Sequence, residues 1–280
     1  MKKFLITLTA VIFFSAASVA DTSQLKNNFF NSLENFFDGK FEDTDISIKS
    51  KEDNKPEIGI KTFKPLNDTE SEITFFQGSL FTHDERETLN LGFGKRILSD
   101  DESFMYGLNA FYDHELDYDH QRASVGIEAI SSVGSLRLNQ YYGLSNKKKG
   151  LNDVNEEALD GQDIEVGAPL PYLPWTNFSY RSFEWKGVDG TADQKGDEMS
   201  LEAKFSGFNV EVGKRSHDGN TKDNEFLKLT WTCCNKDQEE IGISDTAYEL
   251  TSVADQKFVK VERQNLIVKQ KEMSLTVIGF

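Results

Sequence analysis

From Ile73 to Leu144 polar and apolar residues alternate almost strictly, and the alternation breaks only at charged turns. A period of two sends successive side chains to opposite faces of an extended chain, so this stretch reads as consecutive β-strands. In Asn90–Ile97, Leu91, Phe93 and Ile97 point one way and Asn90, Gly92, Gly94 and Arg96 the other, with Lys95 the exception. Beyond a turn at Leu98–Ser103, Tyr106, Leu108, Ala110 and Tyr112 oppose Gly107, Asn109, Phe111 and Asp113. Ala123, Val125, Ile127 and Ala129 then oppose Ser124, Gly126, Glu128 and Ile130. In the next run Leu136, Leu138, Tyr142 and Leu144 oppose Ser135, Arg137, Asn139, Tyr141 and Gly143.

A soluble sandwich would show the same alternation. Strand length and repetition favour a membrane barrel: each run is about 9–11 residues, the span of a tilted transmembrane strand, whereas ordinary strands average about 5–6. Tyr106 and Tyr112 near run ends suit an interfacial aromatic girdle. The mean hydropathy of -0.52 is compatible with this, because half of each barrel strand faces a polar lumen. Many of the twenty-two Phe are expected on the outward face. A net charge of -16 argues against a nucleic-acid partner.

The chain carries its own address. Lys2 and Lys3, the apolar run Phe4–Phe14 and Ser18-Val19-Ala20 read as a signal peptide over 1–20, with Asp21 as the mature start. No later run has about 18 consecutive apolar residues, which excludes a helical membrane anchor. Over 21–43, Leu25, Phe29, Phe30, Leu33, Phe36 and Phe37 form a helical apolar stripe. A periplasmic helix is preferred to one lying on the membrane, since the polar face lacks Lys/Arg enrichment.

A barrel is expected over 44–234 with about twelve strands. They are Thr44–Ser50, Glu57–Pro65, Ile73–Phe81, Glu87–Ile97, Phe104–Asp113, Gln121–Ser131, Gly134–Ser145, Gln162–Leu170, Thr176–Gly187, Asp197–Phe205, Gly207–Arg215 and Glu225–Cys233. Connections after odd-numbered strands include the long polar Asn146–Gly161, Val188–Gly196 and Ser216–Asn224; those after even-numbered strands include Ser132–Val133, Pro171–Trp175 and Gly207 alone. Long loops on one rim and tight turns on the other are the asymmetry of an outer-membrane barrel.

This register sends Arg96, Arg137, Lys204, Arg215 and Lys228 into the lumen against Asp113, Glu128, Asp163, Glu165, Glu202 and Glu211. The signs nearly cancel. A wide ion-selective pore would show a ring of one sign, so the interior is read as hydrogen-bonded and holding something. Leu201, Ala203, Phe205, Phe208, Val210, Val212, Leu227, Leu229 and Trp231 face lipid.

After Cys234 the alternation stops. Asp245–Lys260 is expected as a helix, with Ala247, Leu250, Val253 and Ala254 on one side, and Phe258–Lys269 as extended chain. Cys233 and Cys234 are adjacent, so they cannot staple the fold, and they read as two thiols at a strand end. Asp113-His114 and Asp117-Tyr118-Asp119-His120 set carboxylates beside imidazoles at a rim, where an Asp–His pair could activate water. A solvated loop in which acid and imidazole are neighbours by chance is the preferred reading, and no phosphate loop or metal spacing accompanies them. No catalytic residue, metal or cofactor is expected, and the chain is not read as an enzyme.

Asn109-Ala110-Phe111-Tyr112-Asp113, followed by His120, Arg122, Gly126 and Glu128, resembles the hairpin of the inverse autotransporter β-domain, the membrane part of intimin and invasin. Phe76-Gln77-Gly78, Asn90-Leu91-Gly92-Phe93-Gly94 with Arg96, the Leu170-Pro171-Tyr172-Leu173-Pro174 turn and Val261-Glu262-Arg263-Gln264-Asn265-Leu266-Ile267 match in order, covering roughly 43–277.

The resemblance implies a bacterial outer-membrane barrel of type V secretion whose segment 235–280 forms a helix and a linker through the pore, carrying an exported passenger, with a role in cell adhesion. Arg263 and Asn265 would anchor the linker on carboxylates such as Glu128 or Glu202, with Glu262 beside them. Outer-membrane lipid and the barrel-assembly machinery are the implied partners, and whether two barrels pair as a homodimer is left open. The alternative is a structural or porin-like barrel of fourteen strands in which Phe258–Lys269 and Ser274–Phe280 complete the wall and Phe280 serves as an assembly signal.

Overall fold

The computed structural model describes residues 43–51, 55–219, 221–233, 241–272 and 277–278. The expected signal peptide and the helical segment over 21–43 lie outside these residues, apart from Asp43, as do Cys234 and Phe280. The elements in order are β1 (Asp43–Lys51), β2 (Glu57–Asp68), β3 (Glu72–His83), β4 (Arg86–Leu98), β5 (Phe104–Glu115), β6 (Gln121–Ser131) and β7 (Gly134–Gly143). A short hairpin follows, β8 (Lys148–Lys149) and β9 (Asn155–Ala158), and then β10 (Gly161–Leu170), β11 (Leu173–Trp185), β12 (Gln194–Phe205), β13 (Phe208–His217) and β14 (Asn224–Cys233). The described chain closes with β15 (Lys269–Lys271) and β16 (Val277–Ile278).

Twelve strands form one closed antiparallel barrel, β1 to β7 and β10 to β14. β7 pairs directly with β10, Leu138 opposite Ile164, so the β8–β9 hairpin stands outside the wall. Closure joins β14 to β1, with Trp231 opposite Ile46. Closure leaves no strand edge exposed, as a bilayer requires of a spanning sheet. It also overturns the fourteen-stranded alternative: β15 pairs with β9 and β16 with β15, in a separate small sheet.

The side chains sort by parity. Tyr106, Leu108 and Tyr112 of β5 are exposed on the outer wall while Asn109, Phe111 and Asp113 are buried within. Leu201, Phe208, Val212, Leu227, Leu229 and Trp231 are likewise exposed on the outside. The phenylalanines divide differently from expectation. Phe93, Phe104, Phe178 and Phe208 face outward, but Phe63, Phe75, Phe81, Phe111, Phe183 and Phe226 are buried on the inner face.

Glycines across the strand explain why rings fit there. Gly94 lies opposite Phe75, Gly92 opposite Phe111 and Gly196 opposite Phe183. A methyl group added at any of these three would collide with the facing ring. Small and large residues thus alternate around the interior, as filling a narrow barrel demands.

The rims differ as the loop lengths predict. Tight turns at 132–133, 171–172 and 206–207 close one end, Gly207 at φ +72°. The connections 144–160, 186–193 and 218–223 crown the other, which also carries the tight Asp84–Glu85 turn, with φ 49° and 63°.

No helix forms over Asp245–Lys260; a 3-10 turn at Ala254–Phe258 is the helical structure there. Backbone donors within and just before that stretch are bonded instead to the connections beside them. Ser244 N–H donates to the Tyr172 carbonyl (2.9 Å), Thr251 N–H to Ser132 Oγ (2.9 Å) and Val253 N–H to the Glu102 carbonyl (2.9 Å).

Candidate functional site

From the tight-turn rim the chain enters the barrel and runs its length. Residues 259–268 make no strand ladder with the wall, yet backbone N–H and C=O groups removed from water need partners. Inward side chains supply them. Gln77 of β3 accepts the Val261 N–H at 2.7 Å, Tyr141 Oη of β7 accepts the Gln264 N–H at 2.8 Å, and Asn90 of β4 donates to the Asn265 carbonyl at 3.0 Å. Arg96 donates to the carbonyls of Lys257 and Val259 at 2.7 and 2.5 Å. Arg122 of β6 donates to those of Gln264 and Leu266 at 2.7 and 2.9 Å.

Three valines fix the same path by burial. Val253 packs with Leu98, Met105 and Ile130, Val261 with Phe63, Phe75 and Phe111, and Val268 with Tyr141, Leu159 and Trp185. Each contributes roughly 1.5–3 kcal/mol relative to an exposed side chain. Past Val268 the linker reaches the long-loop rim, where Lys269 lies opposite Ala158 and Glu272 N–H donates to the Asn155 carbonyl (2.8 Å).

One linker side chain makes a specific charged contact at mid-lumen. Arg263 grips Asp113 with two parallel bonds, 2.8 and 2.7 Å, and donates to Ser124 Oγ at 2.9 Å. Its guanidinium lies 4.4 Å from the Phe111 ring centroid. Arg122 approaches the same carboxylate at 2.8 Å, and Asn90 donates to it at 2.8 Å. Two guanidiniums on one fully buried carboxylate compensate its desolvation through charge-assisted, partly bidentate bonds.

The expected partners of Arg263 are engaged otherwise. Glu128 accepts from Arg96 at 2.6 Å, and Glu202 accepts from Asn209 at 3.1 Å. Asn265 is held through its backbone carbonyl, while its Oδ1 is buried with no hydrogen-bond partner. Glu262 lies 3.6 Å from Lys61. Along the opposite wall Arg137 and Arg181 share Glu165 (2.8 and 2.5 Å), and Arg215 pairs with Glu198 (2.7 Å). Gln77, Asn90, Arg122, Tyr141 and Arg181 hold the interior together without having been singled out for the lumen. Their inward parity was the signal, since each shares a face with an inward residue of its own strand.

At the long-loop rim His114, near the end of β5, pairs with Asp119 of the exposed loop that follows (2.9 Å). His120 is buried and reaches Ser145 at 3.3 Å. Burial pushes its imidazole down to about 4. Glu115 and Glu156 lie beside it, a grouping that spacing along the sequence does not give.

A family model described as inverse autotransporter, beta-domain matches residues 14–265, from before the first strand to within the threaded linker. The chain belongs to the inverse autotransporter beta-domain family. An inverse autotransporter barrel sits in the bacterial outer membrane, its outer wall against lipid. The family is one of adhesin and secretion barrels rather than of enzymes.

Among curated relatives, the invasin of Yersinia enterocolitica is 30% identical over 151 residues, covering 53% of this chain and 18% of that protein. Inverse autotransporter adhesin YeeJ of Escherichia coli strain K12 is 26% identical over 247 residues, covering 82% of this chain and 10% of that protein. The inverse autotransporter barrel therefore spans only a small part of the length of either. A solved membrane protein from work on in-meso crystallization superposes with a TM-score of 0.69 at 19% identity, covering 82% of this chain and all of that one, and so shares the fold.

Proposed function

We propose that this barrel anchors its own C-terminal segment and delivers it through the lumen to the cell surface. The observation that carries the reading is the path of the linker, from the tight turns at Ser132 and Tyr172, past Asp113, to the β9 edge on the long-loop rim. Tight turns face the periplasm and long loops the outside in outer-membrane barrels, so the path runs outward.

The wall suits passage of varied sequence, because Gln77, Asn90, Arg96, Arg122 and Tyr141 bond the linker's backbone rather than its side chains. Arg263 supplies the stop: its paired bond to Asp113 needs that side chain at that height. Insertion by the barrel-assembly machinery belongs to the same reading, since lone strands with unsatisfied edges cannot enter a bilayer. Adhesion, the role for which the YeeJ relative is named, is the purpose we assign to whatever the linker displays.

The test is protease accessibility of an epitope tag placed after Phe280. Cleavage on intact cells is expected. Protection until the outer membrane is permeabilised would overturn surface delivery.

A further inference from the structure

We propose that Glu115, His120 and Glu156 form a divalent-metal site at the long-loop rim, which the linker closes by inserting Lys269. The ligand atoms of the three side chains lie within 4.8 Å of one another and all three residues are buried. Two carboxylates and an imidazole suit Zn2+ and related first-row dications.

The imidazole indicates that a cation belongs among them. His120 is fully buried, and its Nε2 has no hydrogen-bond partner although it lies 3.7 Å from Glu156 Oε2. Nδ1 is 3.3 Å from Ser145 Oγ, which also accepts the Gln121 N–H at 3.2 Å; with the ring proton on Nδ1, Nε2 offers a lone pair for a metal. In that tautomer Nε2 faces Glu156 Oε2 as a second acceptor, the carboxylate being bonded to Arg86. A buried polar pair of this kind is costly unless something positive bridges it.

In the present arrangement the positive charge comes from protein. Arg86 bonds both carboxylates, Glu115 at 3.1 Å and Glu156 at 2.7 and 2.8 Å, and is stacked 4.6 Å from the Tyr118 ring centroid. The Lys269 ammonium pairs with the remaining oxygen of Glu115. Arg86, Glu115, His120 and Glu156 belong to the barrel and its outer hairpin, whereas Lys269 arrives with the linker.

Whenever the linker is withdrawn, Glu115 Oε2 loses its partner and stands open beside His120 Nε2, with Glu156 held by Arg86. Arg86 would remain to orient both carboxylates, while its charge lowers the affinity for a dication. Metal and Lys269 compete, so by linkage each weakens the other: metal favours the undocked linker and docking expels the metal. The site stands whether or not the linker carries a passenger.

The experiment is calorimetric titration of Zn2+ into the purified full-length protein in detergent micelles, comparing the native chain with Lys269→Met. Zn2+ should bind the variant at one ion per chain and about tenfold or more tighter than the native protein, within the range of ordinary couplings. A further His120→Ala change should abolish that binding. Equal affinity in native and variant, or binding that survives loss of His120, would overturn the site. Trypsin cleavage at Lys269 and Lys271 of the native chain gives a second reading: excess Zn2+ should accelerate it by releasing β15. An unchanged rate would count against the competition even if the methionine variant failed to assemble.

Discussion

Asp113 is where the barrel and the linker meet, and it marks how far single residues can be read from sequence. Parity put Asp113 inside, and the linker motif singled out Arg263. Their pairing was not legible, because alternation fixes a residue's face but not its height relative to a chain that makes no ladder with the wall. Glu128, the expected partner, is committed to Arg96 at 2.6 Å. A residue outside the membrane shows the same local control more simply. In the β4–β5 turn Asp101 accepts from Ser99 Oγ (2.6 Å), Ser103 Oγ (2.8 Å) and the Ser103 N–H (3.2 Å). The Ser99 hydroxyl first and the Ser103 hydroxyl next hold its carboxyl down to about 2. A folded-state value depressed below the ordinary 3.8 means that the carboxylate's contribution is complete above that value and is lost as pH falls through 2. The Ser103 amide signal, followed by NMR in micelles, should therefore titrate with a midpoint near 2, and Ser99→Ala should raise it. A native midpoint at the ordinary value would show that the turn does not form.

The strands were the legible elements. Their period of two is enforced from both sides, by lipid outside and by a filled interior, so every barrel strand left its pattern in the sequence. The β8–β9 hairpin and β15 left none, because strands as short and polar as Lys148–Lys149 and Lys269–Lys271 satisfy no such two-sided demand. The Phe residues misled for a related reason: a ring is apolar enough for lipid, yet a facing glycine opens room for it inside, as Gly94 does for Phe75. The two faces can be separated by experiment. Leu108, near the middle of β5, is 62% exposed on the outer wall. Leu108→Arg should destabilise the barrel by about 2–4 kcal/mol in lipid vesicles, the cost of a charge near the bilayer midplane. The same substitution at Leu116, exposed and just beyond the end of β5, should cost about 0–1 kcal/mol. Equal costs at the two positions would place Leu108 away from the hydrocarbon.

Over the whole molecule the interior divides into two unlike walls. β3 to β7 hold the middle of the linker, through Gln77, Asn90, Asp113, Arg122, Ser124 and Tyr141. The opposite wall pairs charges of its own, Arg215 with Glu198 at 2.7 Å and Lys228 with Glu211 at 3.0 Å, and meets the linker through Asp45 with Lys260 at 3.1 Å and Lys61 with Glu262 at 3.6 Å. Withdrawal of the linker should accordingly leave a standing barrel and an open passage rather than a collapsed one. Arg263 is the residue whose loss should favour that state. Removing one partner of a buried ion pair costs about 3–5 kcal/mol, and here the cost falls on the docked linker, although Arg122 remains beside Asp113 to moderate it. Even about 1.4 kcal/mol shifts a docking equilibrium tenfold. Arg263→Ala should thus give larger or noisier single-channel conductance in planar bilayers. Glu262→Ala, which removes a partly exposed carboxylate 3.6 Å from Lys61 and no bidentate bond, should change conductance less than Arg263→Ala does. If Arg263→Ala conducts as the native protein does while assembling normally, the linker is held by its backbone bonds and valines alone, and Asp113 is a structural charge rather than a stop.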